Sequence, residues 1–292
     1  MIPEEITDSL STFFEEQSSV PFRVLSDTPL SGGCINHVSR LKTSAGDFCL
    51  KYNRSISFPG MFESEARGLL LLKNSGEIRV PSVIHVCSGK QYAFLILEFI
   101  SSGSPAPGMM SDFGRSLARL HSHTAEMFGE DRDNYMGSLS QSNRKHEDWV
   151  SFFIEERLEK QVQLALSAGY FSNETLAHFH KLYQQLDNIF PGEKPALLHG
   201  DLWGGNYLMS ETGNACLIDP AVYYGNREID IAMTTLFGGF DNAFYSGYNE
   251  LFPLEKGWRQ RIDICNLYPL LIHLNLFGHV YLGQIESIVR KY

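Results

Sequence analysis

The run HGDLWGGNYLMSETGNACLID at 199–219 constrains this chain more than any other stretch. It holds Asp201, then Asn206 five residues on, then Asp219 at the end of a short apolar segment. Residues 195–198 end in an apolar stretch, the mark of a buried strand. Gly204 and Gly205 permit a tight loop that brings Asp201 and Asn206 to one rim. Residues 207–209 and 215–218 read as a hairpin around 211–214, and Asp219 emerges from its second strand. An ordinary hairpin whose Asp and Asn residues cap turns would explain parts of this pattern. The full spacing is more restrictive, because phosphoryl transfer from a nucleotide needs these groups close together. One carboxylate must orient and deprotonate the attacking hydroxyl, while an amide oxygen and a second carboxylate hold Mg2+ on the phosphates. Asp201 is therefore the expected base, and Asn206 and Asp219 are the expected metal ligands.

Two upstream features fit the same chemistry. Residues 22–30 and 35–43 read as strands, and between them lies Ser31-Gly32-Gly33-Cys34. Adjacent glycines let backbone amides approach phosphate oxygens, although a plain Gly-Gly hairpin turn gives the same sequence. Lys51 then sits inside the short strand 48–52, and Glu65 follows fourteen residues later on a helical segment, 62–73. A strand lysine held by a helix glutamate is how kinases grip the α- and β-phosphates. Taken alone, the pair also reads as a solvated lysine and an unrelated glutamate. Combined with the glycine turn and with 199–219, it points to a kinase, with Gly32, Gly33, Cys34, Lys51 and Glu65 around ATP.

Residues 92–100 form a buried strand, followed by the linker-like Ser101-Ser102-Gly103-Ser104-Pro105-Ala106-Pro107. In a two-lobed kinase this is the hinge, and the backbone of Glu98, Phe99 and Ile100 is expected to meet adenine. Residues 4–17 have helical spacing, and beyond the linker so do 111–123, 147–168, 173–188, 227–237, 242–251, 258–277 and 280–291. The expected architecture is α+β and protein-kinase-like. It has a β-rich N-lobe at 1–100, a hinge at 101–107 and a mainly helical C-lobe at 108–292, with the reacting groups meeting in the cleft between the lobes. His121, His123, His178 and His180 lie two apart rather than four, a spacing that suits surface or satisfied core histidines better than metal ligands.

A net charge of -10 argues against a nucleic-acid partner. An acidic chain still binds ATP where Mg2+ and a few cations neutralise the phosphates locally. The five cysteines show no zinc or redox spacing, and the N-terminus shows no signal peptide. No apolar run approaches the ~18 residues of a membrane span. These features lead to the expectation of a cytoplasmic protein without a membrane partner.

With these residues in place, the chain resembles the fructosamine/ketosamine kinases, relatives of the aminoglycoside phosphotransferases and choline kinases. HGDLWGGN (199–206), DPAVYYGNREIDIAM (219–233), FGEDRDNYMGSLSQSN (128–143) and DWVSFFIEERLEKQ (148–161) carry the resemblance, which covers nearly the whole chain. One departure is Asn226, where the family usually has His. The resemblance implies ATP and Mg2+ as cofactors. It also implies a ketosamine acceptor, free or on a glycated protein lysine, phosphorylated on its 3-hydroxyl. Trp203 either borders the acceptor or braces the loop, and Asn134, Tyr135 and Trp149 are further acceptor-site candidates. Cys34 in the phosphate loop is either a redox-sensitive thiol or a small packed residue. Two rival readings remain at the level of sequence. One is a kinase for another hydroxyl compound, such as an aminoglycoside or choline, which the acidic residues 126, 130, 131 and 133 would suit. The other is a nucleotide-binding module without catalysis, and the presence of all five catalytic-type residues argues against it.

Overall fold

The computed structural model describes residues 2–18, 21–30 and 35–292. The chain divides into two units, Met1–Pro107 with Tyr207–Ile218, and Gly108–Asn206 with Asp219–Tyr292. Gly32, Gly33 and Cys34 lie outside the described residues.

The first unit is built on a five-stranded antiparallel sheet. Its strands are β1 (Val24–Pro29), β2 (His37–Thr43), β3 (Gly46–Arg54), β4 (Val83–Ser88) and β5 (Tyr92–Glu98), in the order β1-β2-β3-β5-β4. Helix α1 (Glu4–Gln17) buries Ile6 and Leu10 with Phe22, Leu41, Leu50, Phe94 and Ile96. This apolar layer stabilises the sheet because each side chain is removed from water. β5 is buried along almost its whole length, as its YAFLILE sequence implies. β4 is a half-buried edge strand in which His85 and Cys87 alternate with apolar residues, so its sequence signal is weak. Helix α2 (Met61–Ser75) starts after Gly60 and ends at Gly76.

The hairpin Tyr207–Met209/Ala215–Leu217 pairs as the sequence implies, but it groups with the first unit. The linker 101–107 is strapped to it. The Gly103 amide donates to Met209 O at 3.2 Å, and the Ala106 amide donates to Gly213 O at 2.9 Å. The chain thus leaves the second unit just after Asn206 and re-enters it at Asp219.

The second unit is mainly helical, with helices Met109–His121, Glu159–Ser167, Asn173–Tyr183, Glu228–Met233, Asn242–Leu251, Trp258–Cys265, Leu267–Phe277 and Leu282–Val289 among the described elements. The helix expected over 147–168 is interrupted by a π-helical turn, Phe153–Leu158. That wider turn accompanies a buried Arg157. Its guanidinium lies 4.6 Å from the Phe152 ring, 4.0 Å from Tyr223 and 5.4 Å from Tyr268, and donates to Asn143 Oδ1 at 2.7 Å. The helix expected over 258–277 breaks at Asn266, which is buried and donates to Ala232 O at 3.1 Å. No helix among the described residues is long and apolar enough to cross a membrane.

Candidate active site

In the second unit the strand Ala196–Leu198 pairs antiparallel with Tyr223–Gly225. The chain then turns through His199, Gly200 and Asp201. Gly200 has φ +83°, and a Cβ there would lie 2.1 Å from Ala221 O, so only glycine fits the turn. The amides of His199 and Gly200 donate to the buried Asp230 carboxylate at 2.7 and 2.9 Å. His121 Nε2 lies 3.2 Å from the same carboxylate, and its Nδ1 lies 2.8 Å from Tyr248 Oη. His121 is thus a satisfied core histidine. Asp230 fixes where the Asp201 backbone begins. Sequence reasoning passed over Asp230; the available signal was a carboxylate inside the apolar helix segment 229–233, which has to find buried donors.

Asp201 and Asn206 are brought together as their spacing implies. Asn206 Nδ2 donates to both the backbone oxygen and Oδ2 of Asp201, each at 2.8 Å. The Asn206 amide donates to Trp203 O at 3.0 Å and the Trp203 amide to Asp201 O at 3.2 Å, closing the loop. A Cβ on Gly205 would meet the Trp203 ring at 2.2 Å, so the indole lies directly over that backbone. Burial pushes the Asp201 carboxyl up to about 7; the Asn206 hydrogen bond opposes this, and the Asp219 and Asp230 charges add to it. Asp219 is therefore close enough to act on Asp201. It adopts φ +54°, a left-handed conformation that costs energy for any residue with a side chain.

In the first unit Lys51 and Glu65 meet. β3 turns Lys51 inward and α2 brings Glu65 to it, with Nζ to Oε1 at 2.6 Å and side-chain exposures of 7% and 11%. Each charge is neutralised by the other, which is what makes their burial tolerable. The Glu98 amide is spent on Ser82 O at 2.9 Å, so it is not free to donate to a base. The Glu98 carboxylate accepts from Ser82 N at 3.1 Å and from Arg79 at 2.8 Å, and Arg79 also reaches Glu211 at 2.6 Å. Phe99 lies under the Arg40 guanidinium at 4.4 Å, and Ile100 is buried.

The four acceptor-site candidates separate. Trp149 is 5% exposed, with its ring among Phe128, Phe152, Phe153 and Phe190. It is a core residue and not a substrate contact, because an indole on the apolar face of its helix is most stable inside. Asn134 donates to Val222 O at 2.8 Å and accepts from Gln141 at 2.8 Å and Asn143 at 3.1 Å, so its amide braces a loop. Tyr135 is partly buried, and burial raises its phenol. Trp203 is tied to the base, half-buried and edge-on to Phe237 at 5.7 Å.

With a strand lysine paired to a helix glutamate in one unit and the Asp201–Asn206 loop in the other, the chain has a two-lobed α+β kinase-like fold and is a phosphotransferase with a hydroxyl acceptor. A family model described as fructosamine kinase matches residues 6–292, and the chain belongs to that family. It is 40% identical over 266 residues to a probable ketoamine kinase of Enterococcus faecium, covering 90% of this chain and 94% of that one. It is 38% identical over 270 residues to the chloroplastic protein-ribulosamine 3-kinase of Arabidopsis thaliana, covering 90% and 81%. The crystal structure of a fructosamine-3-kinase candidate from Thermobifida fusca superposes with a TM-score of 0.86 at 31% identity, covering 97% and 98%.

Proposed function

We propose that this chain transfers the γ-phosphoryl group of ATP to the 3-hydroxyl of ketosamines, with Asp201 as the base. The observation that carries the reading is the Asp201–Asn206 arrangement. Asn206 holds Asp201 through two 2.8 Å hydrogen bonds, one to its carboxylate and one to its backbone oxygen, while burial raises the carboxyl to about 7, where a base exchanges protons readily. The ionised Asp201 accepts the hydroxyl proton as the acceptor oxygen bonds to phosphorus. The bond from phosphorus to the bridging oxygen breaks, and ADP leaves. Lys51, held by Glu65, is assigned to the nucleotide phosphates.

Asn206 and Asp219 are assigned to Mg2+, and their chemistry fits a hard cation. The Asn206 amide nitrogen is turned to Asp201, so Oδ1 is the end left for a metal. Asp219 adds a carboxylate within electrostatic reach of Asp201. The ion would neutralise charge on the phosphates.

The acceptor class rests on family membership and on relatives named as ketoamine and ribulosamine kinases. A phosphate on C3, β to the C2 carbonyl, leaves far more easily than hydroxide. Elimination then releases the amine, so the product is set up for deglycation. Two of the four acidic residues that could favour a polycationic acceptor are engaged locally, Asp131 by Lys145 at 2.6 Å and Asp133 by the Asn143 amide at 2.8 Å. Cys49, Cys87, Cys216 and Cys265 are free thiols, which suits a reducing compartment such as the cytoplasm.

The test is an acceptor panel of fructosyl-, ribulosyl- and erythrulosyl-lysine, an aminoglycoside and choline, with ATP and Mg2+ and ADP release as readout. Turnover confined to the ketosamines is expected. Turnover on the aminoglycoside or choline alone would replace the acceptor assignment. Nucleotide binding without turnover on any acceptor would overturn the reading.

A further inference from the structure

Phe237 pays twice for its position. It is 46% exposed, although apolar. It also adopts φ +54°, and Gly238 and Gly239 follow at +113° and +69°. Three successive left-handed residues form a sharp turn, and a side chain at the first of them is strained. A glycine at 237 would relieve both penalties, so the ring needs another explanation.

Its neighbours suggest one. The Phe237 ring stands edge-on to Trp203, at 5.7 Å and 80°. Trp203 is bonded through its backbone to Asp201, and its indole covers Gly205. On its other side Phe237 meets His273 at 4.8 Å. His273 is fixed by Pro269 O at 2.7 Å, and burial lowers its pKa, which favours a neutral imidazole. The result is an aromatic corner of Trp203, Phe237 and His273 next to the Asp201 loop.

We propose that Phe237 is a specificity-determining residue which, with Trp203, receives the cationic secondary amine of the acceptor and the hydrocarbon chain attached to it. This rests on the ketosamine reading above. In a ketosamine the reacting O3 and the amine nitrogen are joined through C3, C2 and C1, so an acceptor with O3 at Asp201 carries its amine a short step from that base. A secondary ammonium is charged at neutral pH, and aromatic faces attract such cations even where no carboxylate is at hand. The adjoining methylenes of a lysine stem pack on the same rings.

The experiment compares two acceptors with one ketose, fructosyl-lysine and its analogue N-acetylated at the ketose-bearing nitrogen, which is neutral there. Wild type, Phe237→Gly and Phe237→Tyr are assayed at saturating ATP. Phe237→Gly is expected to fold at least as stably as wild type, because glycine suits the left-handed turn. It is expected to raise KM for fructosyl-lysine about five- to tenfold, with kcat and KM for ATP within about twofold. KM for the neutral analogue should move less than about twofold, and Phe237→Tyr should restore the preference. Equal losses on both acceptors, or no loss on either, would overturn the assignment of Phe237 alone. Absence of turnover on fructosyl-lysine and the other ketosamines by wild type would overturn the acceptor reading, and this inference with it.

Discussion

The two units each bury acidic chemistry, and they treat it in opposite ways. In the first, Glu65 is matched by Lys51 at 2.6 Å, so the buried pair is neutral as a whole. In the second, Asp201 is matched only by a neutral amide, with two more carboxylates nearby, and its carboxyl climbs to about 7. The first arrangement ties a strand to a helix through one buried ion pair. The second raises the proton affinity of a carboxylate, which suits the base role proposed for Asp201. The contrast matches the proposed roles, an orienting pair in one unit and a reacting carboxylate in the other.

The largest effect should come from the reactive side. Asp201→Asn keeps the hydrogen-bonding shape and removes the proton acceptor, so kcat should fall by ~10³, with nucleotide affinity kept. Stopped assays of ADP release alongside nucleotide titration check this. Near-normal turnover would erase the distinction between the two sites.

Asp230→Ala is the next largest. It leaves the His199 and Gly200 amides and His121 without their buried acceptor. A loss of ~2–4 kcal/mol in denaturant unfolding is expected, with a lower kcat from a displaced Asp201.

The first unit should respond differently. Lys51→Met removes the charge paired with Glu65 in a mostly buried setting, and a loss of ~3 kcal/mol is expected. The double variant Lys51→Met/Glu65→Leu should recover most of that stability yet still bind ATP weakly. Recovered stability together with normal ATP affinity would show that the pair is structural only.

How much of this was legible in the sequence follows from how local each contact is. Asp201 and Asn206 lie five residues apart, and a glycine-rich loop leaves them little choice but to meet. The hairpin that follows, and the buried strand β5, were legible for the same reason. Lys51 and Glu65 required a strand and a helix to come into register, so only the kinase pattern tied them together. Asp230 was only partly legible: a carboxylate inside an apolar helix segment signals buried donors, but two of its partners are backbone amides some thirty residues earlier, which leave no side-chain trace. Trp149 misled because a tryptophan in a distinctive segment looks functional, whereas its neighbours bury it in the core. Position alone also does not reveal that the Glu98 amide is already bonded to Ser82 O.

The smallest expected effect is also the most specific to the contrast. A carboxyl whose folded value lies above its unfolded one favours the folded state only while protonated. Stability from Asp201 is therefore present at acidic pH and is lost as pH rises from about 4 through about 7. In chelator and without nucleotide, Asp201→Asn should gain in thermal midpoint over wild type as pH goes from 5 to 8.

The most direct measurement is phosphorus NMR of the product formed from ATP and fructosyl-lysine, run in parallel with wild type and Asp201→Asn. The account expects phosphate on O3 with wild type and a rate lower by ~10³ with the variant, while both still bind ATP. Phosphate on another oxygen, or comparable product from the variant, would contradict it.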